Sequence, residues 1–128
     1  MKQRKILVIN DDKNSLGELV EILTVSGHEL VLVHDALLAV DAVVRTKPDV
    51  VLVDLAMPRK NGFELADEIN YALPTRKIPI IAMSSLLKEE FKFLFNLCGI
   101  NRHLKKPFRP LDVIWAIENA AEESLPYC

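Results

Sequence analysis

Apolar positions along this chain follow two alternating rhythms. Short apolar-rich runs stand at Ile6–Ile9, Glu29–Val33, Val50–Val53, Ile78–Met83 and Ile100–Leu104. Runs this short and this rich in Val, Ile and Leu read as strands, several of them buried on both faces of a parallel sheet. Between them apolar residues recur at helical spacing. The sets are Leu16, Leu19, Val20 and Leu23; Ala36, Val40, Val43 and Val44; Leu65, Ala66, Ile69 and Leu73; Leu87, Phe91, Leu94, Phe95 and Cys98; and Val113, Ile114, Ile117 and Ala121. Gly27, Pro48, Pro74 and Gly99 stop the first four helices, and the fifth runs from Pro110 to Glu123. Five strand–helix units in strict alternation predict an α/β fold: a five-stranded parallel sheet, doubly wound as (βα)5, with right-handed crossovers. One domain over 1–123 is expected, followed by a short fraying tail, 124–128.

Composition narrows the class without naming a function. The chain has 128 residues, half of them apolar and 27% charged, enough apolar surface for a sizeable core and too much for disorder. A formal net charge of −2 argues against direct nucleic-acid binding by the domain as a whole. Two cysteines, Cys98 and Cys128, make no disulfide framework. Cys98 falls in an apolar helical stretch and reads as a buried free thiol, which suits a cytoplasmic location. The amino end turns acidic too soon for a signal peptide or a membrane span.

Chemistry collects where the strands end. In an open α/β sheet, ligands bind beyond the carboxyl ends of the strands. Strand one ends in Asn10-Asp11-Asp12, strand three in Asp54, strand four in Ser84-Ser85 and strand five in Lys105-Lys106-Pro107. Strand two ends in His34-Asp35, with no further partner to point to it. Carboxylates brought together repel, and a hard divalent cation relieves the repulsion; Mg²⁺ binds through one or two carboxylates plus waters and phosphate oxygens. A lysine adds a point charge suited to phosphate, and a serine hydroxyl donates to a phosphoryl oxygen. Taken singly, each residue has an ordinary explanation: Asp54 as a turn cap, Ser84 as a helix cap, Lys106 as a solvated lysine. Their joint occurrence on successive strand ends points instead to a site that receives a phosphoryl group, with Asp54 as acceptor.

With these residues in view, the chain resembles the receiver domain of bacterial two-component response regulators, the family of the chemotaxis response regulator. The resemblance covers Lys5 to about Glu122. It rests on the acidic cluster Asn10-Asp11-Asp12, on Asp54-Leu55-Ala56-Met57-Pro58 with Gly62, on Ser84 thirty residues past the acceptor, and on Lys106-Pro107-Phe108. It implies a flavodoxin-like fold and a set of roles. Asp54 takes a phosphoryl group from the phosphohistidine of a sensor histidine kinase or phosphotransfer protein. Asp11, Asp54 and the backbone carbonyl of Ala56 hold Mg²⁺. Ser84 follows the phosphoryl group, Lys106 pairs with its oxygens, and Pro107 resembles the family's cis-proline. Apart from phosphorylating and dephosphorylating itself, such a domain is not an enzyme.

The chain departs from the family at three places. Counting from a strand that ends at Ile9 puts Asn10 at the family's first acid, Asp11 at its second and Asp12 at an often acidic third. The competing register pairs Asp11 with Asp12 and leaves Asn10 in the strand. In the first register a carboxylate is lost, and Mg²⁺ affinity falls; Asn10 or Asp12 then acts behind the metal ligands. Position 103, where the family usually has a switching aromatic, carries His103, a group that can turn, bond and titrate. Ala56 and Leu86 place apolar groups beside the acceptor, which implies slow self-dephosphorylation.

Two helices carry a second apolar stripe. Leu86, Phe93 and Leu97 lie well round the fourth helix from its core stripe, and Leu111 and Trp115 do the same on the fifth. In the family, helix four, strand five and helix five form a common dimer or output surface, so a partner face or a homodimer is expected here. Two other functions compete. Asn10 raises a phosphorylation-independent interaction module on the receiver fold, which intact Asp54, Ser84 and Lys106 argue against. A Mg²⁺-dependent phosphatase is also conceivable, but Ala56 stands where a second acid is needed.

Overall fold

The computed structural model describes residues 3–11, 13–73, 77–86 and 88–123. In chain order these form β1 (Lys5–Ile9), α1 (Lys13–Val25), β2 (Glu29–Val33), a 3₁₀ turn (Ala36–Leu38), α2 (Ala39–Thr46), β3 (Val50–Asp54), α3 (Gly62–Ala72), β4 (Ile80–Ser84), α4 (Glu89–Cys98), β5 (Arg102–Lys105) and α5 (Pro110–Glu123). The strands make one parallel sheet in the order β2-β1-β3-β4-β5.

The two-residue period of the strands divides the core in two. Leu7, Ile9, Val51, Val53, Ile80 and Ala82 face α2 and α3, against Ala39, Ala42, Val43, Leu65, Ala66 and Ile69. Ile6, Val8, Val50, Leu52, Ile81 and Met83 face α1 and α5, against Leu19, Leu23, Val113 and Ile117. This is the doubly wound sheet that the alternating pattern predicts. From β1 the chain moves outward to β2, then returns across β1 to lay down β3 and proceed the other way. The strand order therefore reverses between β1 and β3, and the crevice at such a switch point lies beyond their carboxyl ends. Asn10 and Asp54 stand there.

Several boundaries differ from the sequence expectation, each for a local reason. Asp54 is the last residue of β3, because its partner Met83 continues the ladder. β4 begins at Ile80 rather than Ile78, although Ile78 is buried all the same. β5 begins at Arg102 rather than Ile100: Gly99 leaves α4 in the left-handed conformation at φ 72°, and Asn101 then bridges to β4 by accepting from the Ile80 N–H at 3.0 Å. The second helix opens as a 3₁₀ turn capped by Asp35, whose carboxylate accepts from Leu37 N–H at 2.9 Å. That opening rotates the face, so Ala39 and Ala42 are buried and Val44 is exposed. On α4 the expected core stripe is only half-buried at Phe91, Leu94, Phe95 and Cys98. The Cys98 thiol is thus free but not fully enclosed; burial first, and Asp67 second, push its pKa up. Leu87, Pro74 and the tail 124–128 lie outside the described residues.

At the opposite, amino-terminal edge of the sheet, His28 is buried between β1 and α5. Its Nδ1 accepts from the Arg4 N–H at 3.0 Å, and its Nε2 stands 3.8 Å from Glu118. Burial is the main cause that lowers its pKa, opposed by Glu118 and reinforced by Arg4.

Candidate functional site

Asp54 occupies the centre of the carboxyl-terminal edge, with only 3% of its surface exposed. A carboxylate cannot stay buried without partners, and this one has two. Lys106 Nζ donates to Oδ2 at 2.8 Å, and the Ala56 N–H donates to Oδ1 at 3.0 Å. Lys106 reaches it from the loop after β5, where the Lys106–Pro107 bond is cis and the Lys106 N–H is anchored on the Ser84 carbonyl at 2.8 Å. The Ala56 contact is an Asx turn, a bond from the aspartate to the backbone two residues on. Carboxylates carry about four acceptor positions, so two donors leave Asp54 able to use a further lone pair.

Gly62 fixes the other side. The first residue of α3, it donates its N–H to the Leu55 carbonyl at 3.1 Å. A Cβ here would come within 2.7 Å of the Asp54 carbonyl oxygen and 2.9 Å of Leu55 Cα, both backbone atoms. The glycine of the Met57-Pro58…Gly62 stretch lets α3 start directly against the Asp54–Leu55 peptide. Asn61 caps the helix by accepting from Glu64 N–H at 2.9 Å.

Asn10 follows β1 and is fully buried, with its N–H on the Val33 carbonyl at 3.1 Å. Asp11 is exposed and lines a cavity of about 210 Å³ with His34, Asp35, Met57, Pro58 and Arg59. The acid after β1 and the loop after Asp54 therefore border one space. Arg59 crosses toward it, 3.4 Å from Asp35. Among the described residues no three His, Cys, Asp or Glu side chains converge as a metal cage. A metal held by Asp54, Asp11 and the Ala56 carbonyl would have an all-oxygen, two-carboxylate protein shell completed by water, which fits Mg²⁺. Asp12, the third acid of the sequence cluster, lies outside the described residues.

Ser84 ends β4, 8% exposed, with Oγ 2.7 Å from the Leu86 carbonyl and 2.8 Å from His103 Nε2. His103 stacks on Phe95, ring centroids 5.9 Å apart, and Phe95 packs on Phe63 of α3 at 5.7 Å. Burial, and after it Lys105, lowers the His103 pKa. Sequence reasoning brought Asp54, Lys106, Ser84 and His103 forward but missed three features of their surroundings. The Ala56 N–H bond follows from the Asx-turn habit of aspartate and was available from spacing. The Gly62 approach and the Phe63–Phe95–His103 stack depend on how elements cross, which no local pattern encodes.

The second apolar residues lie on the surface, but α4 begins at Glu89, so Leu86 stands in the loop after β4 and not on the helix as the spacing predicts. Leu86, Phe93, Leu97, Leu111 and Trp115 are 57, 67, 63, 79 and 61% exposed. Arg102 lies over the Trp115 ring at 5.3 Å. Among the described residues no helix is long and apolar enough to cross a membrane.

Known proteins share this fold. The family model described as the response regulator receiver domain matches residues 6–118. The chain is 32% identical over 118 residues to the transcriptional regulatory protein PdtaR of Mycobacterium tuberculosis, covering 91% of this chain and 56% of that protein, so it spans little more than half of that relative. Among solved structures it is similar to the chemotaxis protein CheY4 of Vibrio cholerae, with TM-score 0.87 and 22% identity, covering 93% of this chain and 99% of that one. It is also similar in fold to the receiver domain of the sensor histidine kinase PA1611 of Pseudomonas aeruginosa, with TM-score 0.85 and 24% identity, covering 94% and 99% of the two chains. That structure has a magnesium ion coordinated in its active-site cleft.

Proposed function

This chain belongs to the response regulator receiver domain family, and on that premise we propose that Asp54 accepts a phosphoryl group from the phosphohistidine of a sensor histidine kinase or phosphotransfer protein in the cytoplasm. The observation that carries the reading is the Lys106–Asp54 pair, 2.8 Å apart on an almost fully buried carboxylate at the switch point of the sheet.

Phosphoryl transfer asks for in-line positioning and neutralised charge more than for acid–base chemistry. Asp54 supplies the attacking carboxylate oxygen and is held in one orientation by Lys106 and the Ala56 N–H. As the carboxylate becomes an acyl phosphate, the Lys106 ammonium stays at the same edge to pair with phosphoryl oxygens. Ser84 offers a hydroxyl from the neighbouring strand end. Asp11, Asp54 and the Ala56 carbonyl would hold Mg²⁺, which when bound supplies positive charge to the phosphoryl oxygens. Neutral Asn10, buried where the first register places an acid, makes that affinity lower than two acids and Asp54 together would give. The apolar side chains of Ala56 and Leu86 neither orient nor admit attacking water well, so the phosphoryl group is lost slowly. The exposed stripes on α4 and α5 are the surface through which the state of Asp54 is read, by a second copy or by another protein.

The test is phosphoryl uptake from phosphoramidate or acetyl phosphate with Mg²⁺, read by intact mass. Wild type gains one phosphoryl group and Asp54→Asn gains none. Absence of uptake in wild type favours the interaction module that needs no phosphorylation.

A further inference from the structure

β2 is an edge strand: β1 lies on one side of it, and among the described residues no strand lies on the other. Two bonds fix which of its backbone groups face outward. Glu29 N–H donates to the Arg4 carbonyl at 2.9 Å, and the Val33 carbonyl accepts from Asn10 N–H at 3.1 Å. In a strand the N–H and C=O of one residue point the same way, and successive residues alternate. Glu29, Val31 and Val33 therefore face β1, while Leu30 and Leu32 each present an N–H and a C=O along the free edge. Among the described residues nothing bonds to those groups.

An edge of this kind is a template for another strand, and proteins blunt it with proline, charge or a bulge. Leu30-Val31-Leu32 carries none of these, and the ladder to β1 runs unbroken from Glu29 to Val33. Apolar surface borders the edge. Leu32 is exposed, as are Leu37 and Leu38 in the turn directly after β2 and Val44 on α2, the helix that packs on β2.

We propose that the free edge of β2 pairs antiparallel with β2 of a second copy of this chain, about a two-fold axis through Val31. The register is what identifies the occupant. With the axis there, Leu30 of each copy lies opposite Leu32 of the other. Each such pair exchanges both N–H···O bonds, so every outward donor and acceptor of both strands is used. An axis through Leu30 or Leu32 satisfies only one of the two residues. Charge agrees with the same register. Glu29 of each copy comes opposite Val33 of the other, one side-chain step along the same face from Asp35. Each acid arrives with its own cation: Lys5 lies 3.9 Å from Glu29, and Arg59 lies 3.4 Å from Asp35. The sign therefore alternates at both ends of the joined strands, and no bare like charges meet. The pairing involves neither Asp54 nor the exposed residues of α4 and α5, so it stands or falls apart from the acceptor reading.

The test uses the full chain carrying Phe93→Ser and Trp115→Ser, which silences the α4–α5 face. Sedimentation is expected to show that a dimer remains. Adding Leu32→Pro removes one outward donor from each copy and leaves the ladder to β1 intact, since the Leu32 N–H points away from it. Two of the four bonds are lost, and the dissociation constant is expected to rise about 25-fold. A urea melt establishes that this variant is folded. Cross-linking is the independent arm, in a chain carrying Cys98→Ser and Cys128→Ser. Across the axis the two Val31 residues form a pair without hydrogen bonds, with Cα atoms about 4.5 Å apart, within disulfide reach. Val31→Cys is therefore expected to give a disulfide-linked dimer on mild oxidation. Glu29→Cys is expected to stay unlinked, because its two copies stand about 13 Å apart along the strands. A monomer in the Phe93→Ser, Trp115→Ser chain overturns the proposal. So does an unchanged dissociation constant in folded Leu32→Pro, or equal linking by the two cysteine variants. If Leu32→Pro does not fold, the cross-linking contrast decides.

Discussion

Replacing Gly62 by alanine tests how closely β3 and the next helix are built against each other. The added methyl would stand 2.7 Å from the Asp54 carbonyl oxygen, 2.9 Å from Leu55 Cα and 3.0 Å from Leu55 Cδ2. Two of these three atoms are backbone, so they cannot rotate aside as the end of a side chain could. Overpacking of this kind costs about 1–3 kcal/mol. The helical preference of alanine over glycine returns up to about 1 kcal/mol, leaving a net loss of at most about 3 kcal/mol by those two terms. In a domain of this size that lowers Tm by at most roughly 15 °C. The displaced atoms belong to Asp54 and its neighbour, so phosphoryl uptake falls as well, toward the roughly hundredfold loss that a 1 Å misplacement brings. Gly17→Ala is the control. Gly17 lies exposed within α1, with nothing within 4 Å of an added Cβ, so the same chemical change there is stabilising by about 0.5–1 kcal/mol. Urea melts of both variants, with uptake followed by intact mass, separate the effects. Wild-type stability together with wild-type uptake in Gly62→Ala would refute the reasoning.

Asn10→Asp restores a carboxylate at a fully buried position beside the site; Mg²⁺ binding tightens in calorimetric titration, while the metal-free protein loses stability through like-charge repulsion. Unchanged affinity would favour the register that leaves Asn10 to the strand. His28 and His103 both have pKa values lowered from 6.5 in the fold, so the unfolded chain takes up their protons first. Stability is therefore full above pH 6.5 and falls as pH drops from there through the folded pKa values, with a slope of at most about 1.4 kcal/mol per pH unit for each histidine. Urea melts of wild type and His28→Asn between neutral and mildly acidic pH check this, and an identical slope in the variant would exclude His28 as a source. Phe93→Ser with Trp115→Ser removes two exposed aromatics at a cost expected to stay within about 1 kcal/mol; sedimentation should show weaker self-association, and a large fall in Tm would show these residues to be core.

The layered fold was readable because apolar periodicity reports burial directly. Val50–Val53 is apolar throughout since both faces of β3 are covered, and the helix stripes mark which side meets the sheet. The site was readable because the topology gathers the strand ends, so Asp54 and Lys106, 52 residues apart, meet at 2.8 Å. Where the reading slipped, a local device had moved a boundary: the Asp35 cap that turns the start of the second helix, Gly99 and Asn101 that delay β5, or the half-cover of α4 that leaves Cys98 partly open. The contacts of Ser84 were not readable at all. They involve a backbone carbonyl two residues away and a histidine from another strand, and sequence spacing carries neither orientation.

The most direct measurement is to locate the phosphoryl group after treatment with a phosphodonor and Mg²⁺, by reducing the product with borohydride and mapping its peptides. An acyl phosphate on Asp54 is reduced to homoserine, so the peptide containing residues 50–62 should carry homoserine at position 54 in wild type and remain unmodified in Asp54→Asn. A phosphoryl group on a serine or histidine, modification at another carboxylate, or no modification at all would contradict Asp54 as the acceptor.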